Sequence, residues 1–182
     1  LTVSNLTNSA SGTIDVDSAF TLNGSLDSSG LLELASNMTV TGTGTFNSGS
    51  TLDWTNGTLT LTGMADLNGT TTLTTSSTKT LSGTTVNIGG TFDYAVGASG
   101  LTLANDVTLG VVSGGVFQFD AVGTIADSSG SSTLAIAAGG ILSRANTGTG
   151  TVNAELDLAA GGTIDIDDGF LNFSGGGAIN GT

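Results

Sequence analysis

"GTLTLTG", residues 57–63, alternates Leu59 and Leu61 with Thr58, Thr60 and Thr62 and closes on Gly63. Strict alternation marks a strand with one buried face, because successive side chains point to opposite sides. A strand this short cannot hide its apolar side alone. Its core returns along the chain: "TLNG" at 21–24, "TVTG" at 39–42, "TLSG" at 80–83 and "TLG" at 108–110. Recurrence at a near-constant interval is what stacked repeats require, since each unit then covers the next.

Two further sets recur in step with the first. One comprises "TIDV" (13–16), "LLEL" (31–34), "TLDW" (51–54), "TLTT" (72–75), "TFDY" (91–94), "VFQF" (116–119) and "TLAI" (133–136). The other comprises Leu26-Asp27, Phe46-Asn47, Leu67-Asn68 and Val86-Asn87. No segment shows the 3.6-residue period of an amphipathic helix. Gly, Ser and Asn fill the gaps as turn residues. Three short strands per coil of roughly 20 residues predict an all-β fold, a single-stranded parallel β-solenoid. The handedness rule for parallel crossovers makes it a right-handed β-helix. The 182 residues include no Pro, as interior ladder strands demand, because proline removes a donor. Residues 1–182 read as one solenoid domain, a segment of a larger repetitive protein.

Stacking predicts interior columns. Ile14, Leu32, Leu52, Leu73, Phe92, Phe117 and Leu134 form one, and Val16, Leu34, Trp54, Thr75, Tyr94, Phe119 and Ile136 its neighbour. Leu22, Val40, Leu61, Leu81 and Leu109 form a third. Lys79 falls in line with Leu59 and Met38, where a buried ammonium is costly, so a local shift should carry its head to water. Beyond Thr133 both "ELDL" (155–158) and "TIDI" (163–166) fit the first column. "GTIDVDSAF" at 12–20 returns as "GTIDIDDGF" at 162–170. The echo reads either as two coils of one repeat family or as a larger unit. Open solenoid ends expose strand edges and invite end-to-end stacking of copies.

Composition narrows function. Two basic residues, Lys79 and Arg144, face fifteen acids for a net charge of −13. Phosphate recognition needs clustered cations, so nucleic acid is a poor partner, as is an anionic membrane. No long apolar run of the kind that spans a bilayer is present, so membrane insertion is not expected. With no His and no Cys, the chain lacks a neutral-pH base, a thiol nucleophile and a disulfide. Trp54 and Tyr94 fall in a core column rather than on a sugar-binding surface. No enzyme is expected.

The outer rows supply the remaining candidates. Asp15, Glu33, Asp53 and Asp93 lie between the two buried residues of their segments, with Thr74 interrupting the row. Carboxylates on neighbouring coils stand about 5 Å apart and repel. Calcium, which takes several oxygen ligands, would relieve that repulsion; solvated carboxylates conferring solubility are the simpler reading. Calcium is the one cofactor considered. Thr21, Thr39, Thr60, Thr80 and Thr108 should align on one outer face, flanked by Thr41 and Thr62 on one side and Thr58 and Thr78 on the other. These rows resemble the T-x-T ladders of solenoidal ice-binding proteins. Threonine is also simply well suited to an exposed strand. Asn47, Asn68 and Asn87, with Asp27, should form a side-chain amide ladder.

The run from Gly12 to Gly110, with "GTLTLTG", "GSTLDW" and "GGTFDY", resembles the β-solenoid passengers of bacterial autotransporters and filamentous-haemagglutinin-like adhesins. The resemblance implies an extracellular or cell-surface fibre or stalk, with itself and host or environmental glycans as partners. It transfers no functional residue. Ice binding on the threonine face and calcium-stabilised carbohydrate adhesion are the alternatives.

Overall fold

The computed structural model describes residues 2–95 and 97–181. Among the described residues every regular element is a strand, and all pairings are parallel. The chain winds round three faces in turn. The first face holds nine strands, from Thr2–Val3 to Phe170–Phe173; the second holds nine, from Leu6–Asn8 to Gly177–Ile179. The third holds eight, from Thr13–Val16 to Thr163–Ile166. Each strand pairs with the strands one coil below and above, so the backbone groups of interior strands are satisfied by neighbouring coils. The β-solenoid expected from the repeats is the fold observed.

Coil length is not constant. On the third face Thr13 pairs with Leu31, a short coil, whereas Thr91 pairs with Val116 and Val116 with Ile141, two long ones. The strands keep their length; the corners absorb the difference. The corner leading from the third face to the first has two residues, 55–56, in one coil and five, 74–78, in the next.

Those corners shift the expected columns. The two-residue corner 68–69 starts the next strand at Thr70 rather than Thr72, so Thr70–Leu73 is the rung over Thr51–Trp54. Thr71 therefore occupies the first column and Leu73 the second, and Thr75 lies in a corner with φ +65°. Thr71 is buried, and its partners in the column are Leu52 and Phe92. The five-residue corner 74–78 then delays the next rung by two positions. Leu81 sits on Leu59, not Leu61, and Lys79 sits between Gly57 and Leu101, not in line with Leu59 and Met38. Gly83 follows at φ +129°, so close to the Leu61 carbonyl that a Cβ there would overlap the oxygen; only glycine fits.

Leu109, Leu134 and Ile136 belong to the second face, where Leu109 lies over Val86 and Leu134 over Leu109. The third-face columns continue instead through Leu142 and Arg144 to Ile164 and Ile166. "TIDI" thus follows the first column, and "ELDL" lies on the second face. Trp54 and Tyr94 are buried in the second column as expected. Phe92 and Phe117 tilt together at 5.0 Å, and Tyr94 and Phe119 stack at 4.8 Å.

Candidate functional site

The solenoid presents its chemistry as outward columns, so each candidate site is a ladder rather than a cleft. On the third face the middle outward position runs Asp15, Glu33, Asp53, Thr72, Asp93, Gln118, Ser143, Asp165. Thr72, not Thr74, interrupts the acids. Thr74 lies in the following corner, where its hydroxyl donates to Asp53 Oδ1 at 3.3 Å. Desolvation, and then the Asp120 charge, push the Asp93 carboxyl above its usual range. Asp127 behaves oppositely. Its desolvation is outweighed by bonds from the Ser129 and Ser132 backbone N–H groups and nearby hydroxyls, which hold its carboxyl low. Among the described residues no three acidic side chains converge on a common centre suited to a metal ion.

The first face carries the threonines in two offset columns. Thr21, Thr39 and Thr60 align, and Ser82 and Ala104 continue that column. Thr58, Thr80 and Thr102 align beside them, and Ala126 follows. Thr80 therefore stands over Thr58 rather than Thr60, a consequence of the long corner before it. Thr78 is a corner residue and Thr108 lies on the second face, so neither joins the array. Thr41 and Thr62 extend the rows sideways, with their hydroxyls donating to the carbonyls of Leu22 (3.3 Å) and Thr41 (2.6 Å). The array is a patch over coils two to six rather than a single ladder.

The expected amide ladder does not form. On the second face Asp27, Thr45, Asp66 and Asn87 share one column, while Asn47 and Asn68 fall in the corner after the strand. Amides meet carboxylates instead: Asn47 Nδ2 donates to Asp27 Oδ1 at 2.6 Å and Asn87 Nδ2 to Asp66 Oδ1 at 2.8 Å. An amide beside a carboxylate adds an attractive bond where two carboxylates would repel.

Both cations lie inside. Lys79 does not reach water. Its ammonium donates to the carbonyls of Thr74, Thr75 (3.0 Å) and Ser77 (2.8 Å) and to the Thr75 hydroxyl (3.1 Å). It ties down the five-residue corner from within. Desolvation lowers its pKa, and the Asp53 charge opposes that shift. Arg144 extends the ring column, its guanidinium carbon 5.7 Å from the Phe119 ring centre. Nη1 donates to the carbonyls of Phe119 (2.6 Å) and Ala121 (3.0 Å), while Nε and Nη2 have no partner among the described residues. Tyr94 and Trp54 use the same device, donating to the carbonyls of Ser99 and Asn56. The sequence shows these polar tips but not their targets, which belong to corners of variable length. None of the fifteen carboxylates is buried. The outer surface is therefore acidic along its whole length.

The two ends differ from the flanks. At the first coil, Val3, Leu6, Ile14, Val16 and Phe20, with Asp15 and Asp17, line an open cavity of about 350 Å³. At the last rungs Ile166, Phe170 and Ile179 are 43, 72 and 67 % exposed. The repeated phrases 12–20 and 162–170 occupy the same side of the solenoid, as the two edge strands of the third face and their following corners. No protein-family model, curated protein or solved structure matches the chain.

Proposed function

We propose that the chain is a structural segment of an exported bacterial surface protein, a stiff spacer in a fibre or stalk. The observation that carries this reading is the unbroken stack of eight to nine rungs on all three faces. At about 4.8 Å per rung it spans about 40 Å along its axis. Pulling along that axis loads three parallel ladders and one continuous apolar core at once. Buried cations and outward carboxylates and hydroxyls suit a rod that stays soluble and repels its neighbours sideways. The resemblance of its phrases to autotransporter and haemagglutinin-like repeats supports the same reading. Apolar rungs at both ends fit continuation by further coils or by another copy.

The test has two parts. Antibody raised against the folded chain should label intact producing cells, and external protease should remove the signal. Pulling single molecules should give stepwise unfolding at high force. Labelling only after lysis overturns the assignment to the surface; unfolding at forces typical of a loose coil overturns the mechanical role.

A second reading has its own observation: the first-face patch of Thr21, Thr39, Thr58, Thr60, Thr80 and Thr102, regular in two directions. Such a patch suits ordered water at an ice surface. Thermal hysteresis lost in Thr60→Lys supports it, and freezing behaviour equal to that of a control protein removes it.

A further inference from the structure

The thirteen asparagines fall into two populations. Seven begin an Asn-x-Ser/Thr triplet with no proline: Asn5, Asn23, Asn37, Asn56 and Asn68 early in the chain, then Asn172 and Asn180. Six do not: Asn8, Asn47, Asn87, Asn105, Asn146 and Asn153.

The fold separates nearly the same two groups. Five of the second group spend their amide nitrogen inside the structure. Asn8 donates to the Leu31 carbonyl (2.9 Å), Asn47 to Asp27, Asn87 to Asp66, Asn105 to the Ser82 hydroxyl (2.7 Å) and Asn146 to the Asp120 carbonyl (2.7 Å). All seven of the first group are exposed, and among the described residues none donates Nδ2 to the protein. Where they bond at all, the oxygen is used: Asn5 Oδ1 accepts from Ser25 N (2.9 Å) and Asn37 Oδ1 from Thr58 N (2.8 Å). That fixes the side chain and leaves the nitrogen without a protein acceptor.

Six of the seven stand outside the strands, as do Asn47, Asn105, Asn146 and Asn153 of the other group. Asn5 and Asn23 stand on the corner between the first and second faces, and Asn37 and Asn56 on the corner between the third and first. Asn68 stands between the second and third, Asn180 follows the last strand of the second face, and Asn172 alone of the seven lies on a strand. Corner side chains are outside the ladders, so a bulky adduct there breaks no inter-coil pairing. Gly24, Gly57, Gly69 and Gly181 directly follow four of the seven and offer little side-chain obstruction.

We propose that these asparagines are acceptor sites for N-linked glycosylation, with an activated sugar as co-substrate. The sugar is a nucleotide-linked or lipid-diphosphate-linked donor. A bond forms between Asn Nδ2 and the anomeric carbon. The bond from that carbon to the phosphate oxygen breaks, its electron pair leaving with the phosphate, and the amide proton passes to a base. No oxidant or reductant enters. Glycans on the corners project as ridges, adding hydrophilic bulk to a rod whose charge is of one sign. The proposal relies on the exported-rod reading only for access to the donor.

The folded chain incubated with a soluble asparagine glucosyltransferase and UDP-glucose tests the surface itself. Intact-mass and peptide analysis should show at least one added hexose per molecule, only at the seven named residues, with the melting midpoint unchanged. Modification that requires prior denaturation overturns the proposal. Ala10→Thr creates a triplet at Asn8, whose nitrogen is engaged and which is only 5 % exposed. The folded variant should gain no additional hexose, and a hexose on Asn8 overturns the structural distinction. Mass analysis of the chain from producing cells separates the two readings. Surface-exposed chain unmodified at all seven sites sinks glycosylation and spares the rod, whereas chain confined to the cell interior sinks the rod.

Discussion

The lower and upper parts of this solenoid solve one packing problem differently. In the lower part the coils are short, and the third-face rungs begin at Thr13, Leu31, Thr51 and Thr70. Their inner column is Val16, Leu34, Trp54 and Leu73, nearly all aliphatic. In the upper part the rungs begin at Thr91, Val116 and Ile141, so each coil is longer, and the same column becomes Tyr94, Phe119 and Arg144. A longer perimeter encloses a wider interior, and interiors must be filled to crystal-like density. Rings and long stems fill it. Longer corners also bring more carbonyls inward, and a buried carbonyl needs a donor. Tyr94, Lys79 and Arg144 provide volume and donor together. The lower part also buries polar side chains, Asn8, Ser28, Ser50 and Thr71, but both buried charges lie from the corner 74–78 upward.

Truncating Arg144 should break the wide part most severely. Arg144→Ala leaves a cavity beside Phe119 and strips donors from two carbonyls, at about 3–5 kcal/mol. Arg144→Met keeps the volume and removes a buried charge that has two unpartnered nitrogen atoms, so it should fall within about 1 kcal/mol of the parent. Urea unfolding gives both values. Equal losses would show that the guanidinium and its bonds to the Phe119 and Ala121 carbonyls, not the filling, are required.

Lys79→Met should come next, at about 1–3 kcal/mol, because the corner 74–78 loses its internal donor. The parent's deficit from desolvation has a definite sign. The folded-state pKa lies below the ordinary lysine value of 10.5, so the cost is full below the folded-state value and declines as pH rises through it towards 10.5. The stability difference between Lys79→Met and the parent should therefore shift in the parent's favour in alkali.

Tyr94→Phe removes only the hydroxyl that meets the Ser99 carbonyl and keeps the stack on Phe119. A loss of about 1 kcal/mol is expected, and the emission of the single tryptophan, Trp54, should not move in the folded state. A shift in that emission would mean that the narrow and wide parts are not packed independently.

The smallest effect belongs to the surface. Asp93 has a folded pKa above the ordinary aspartate value of 3.8, so the folded state holds the extra proton between the two values and stability falls as pH rises through that window. Asp93→Asn should raise the melting midpoint at neutral pH by the equivalent of less than about 1 kcal/mol, since the group is partly solvated. It should also flatten the acid limb of the melting-against-pH curve.

Most third-face phrases, in short coils and in long ones such as "TFDY" and "VFQF", were legible from residue pattern because phrase and rung coincide. "TIDV", "LLEL" and "TLDW" lie one above another as their alternation predicts. "TLTT" misleads because its Leu73 fills the second column while Thr71, a polar letter, fills the first. A threonine methyl can be buried, and alternation alone cannot distinguish a shift of two. The threonine rows suffered the same displacement: Thr39 and Thr60 align, but Thr80 steps sideways and Thr108 changes face. The asparagines show the reverse case, since only the fold shows which amides are already engaged.

Alternation at short range, recurrence of the same phrases at a near-even spacing and the absence of proline determined a stacked parallel solenoid, because they fix which side of each strand is buried and allow every ladder to continue. Corner length, and with it the register between rungs, was decided by the tertiary structure. A short corner and a long one are equally good turns locally. Only the fit of Lys79, Tyr94 and Arg144 against the carbonyls they enclose selects which residue stands above which.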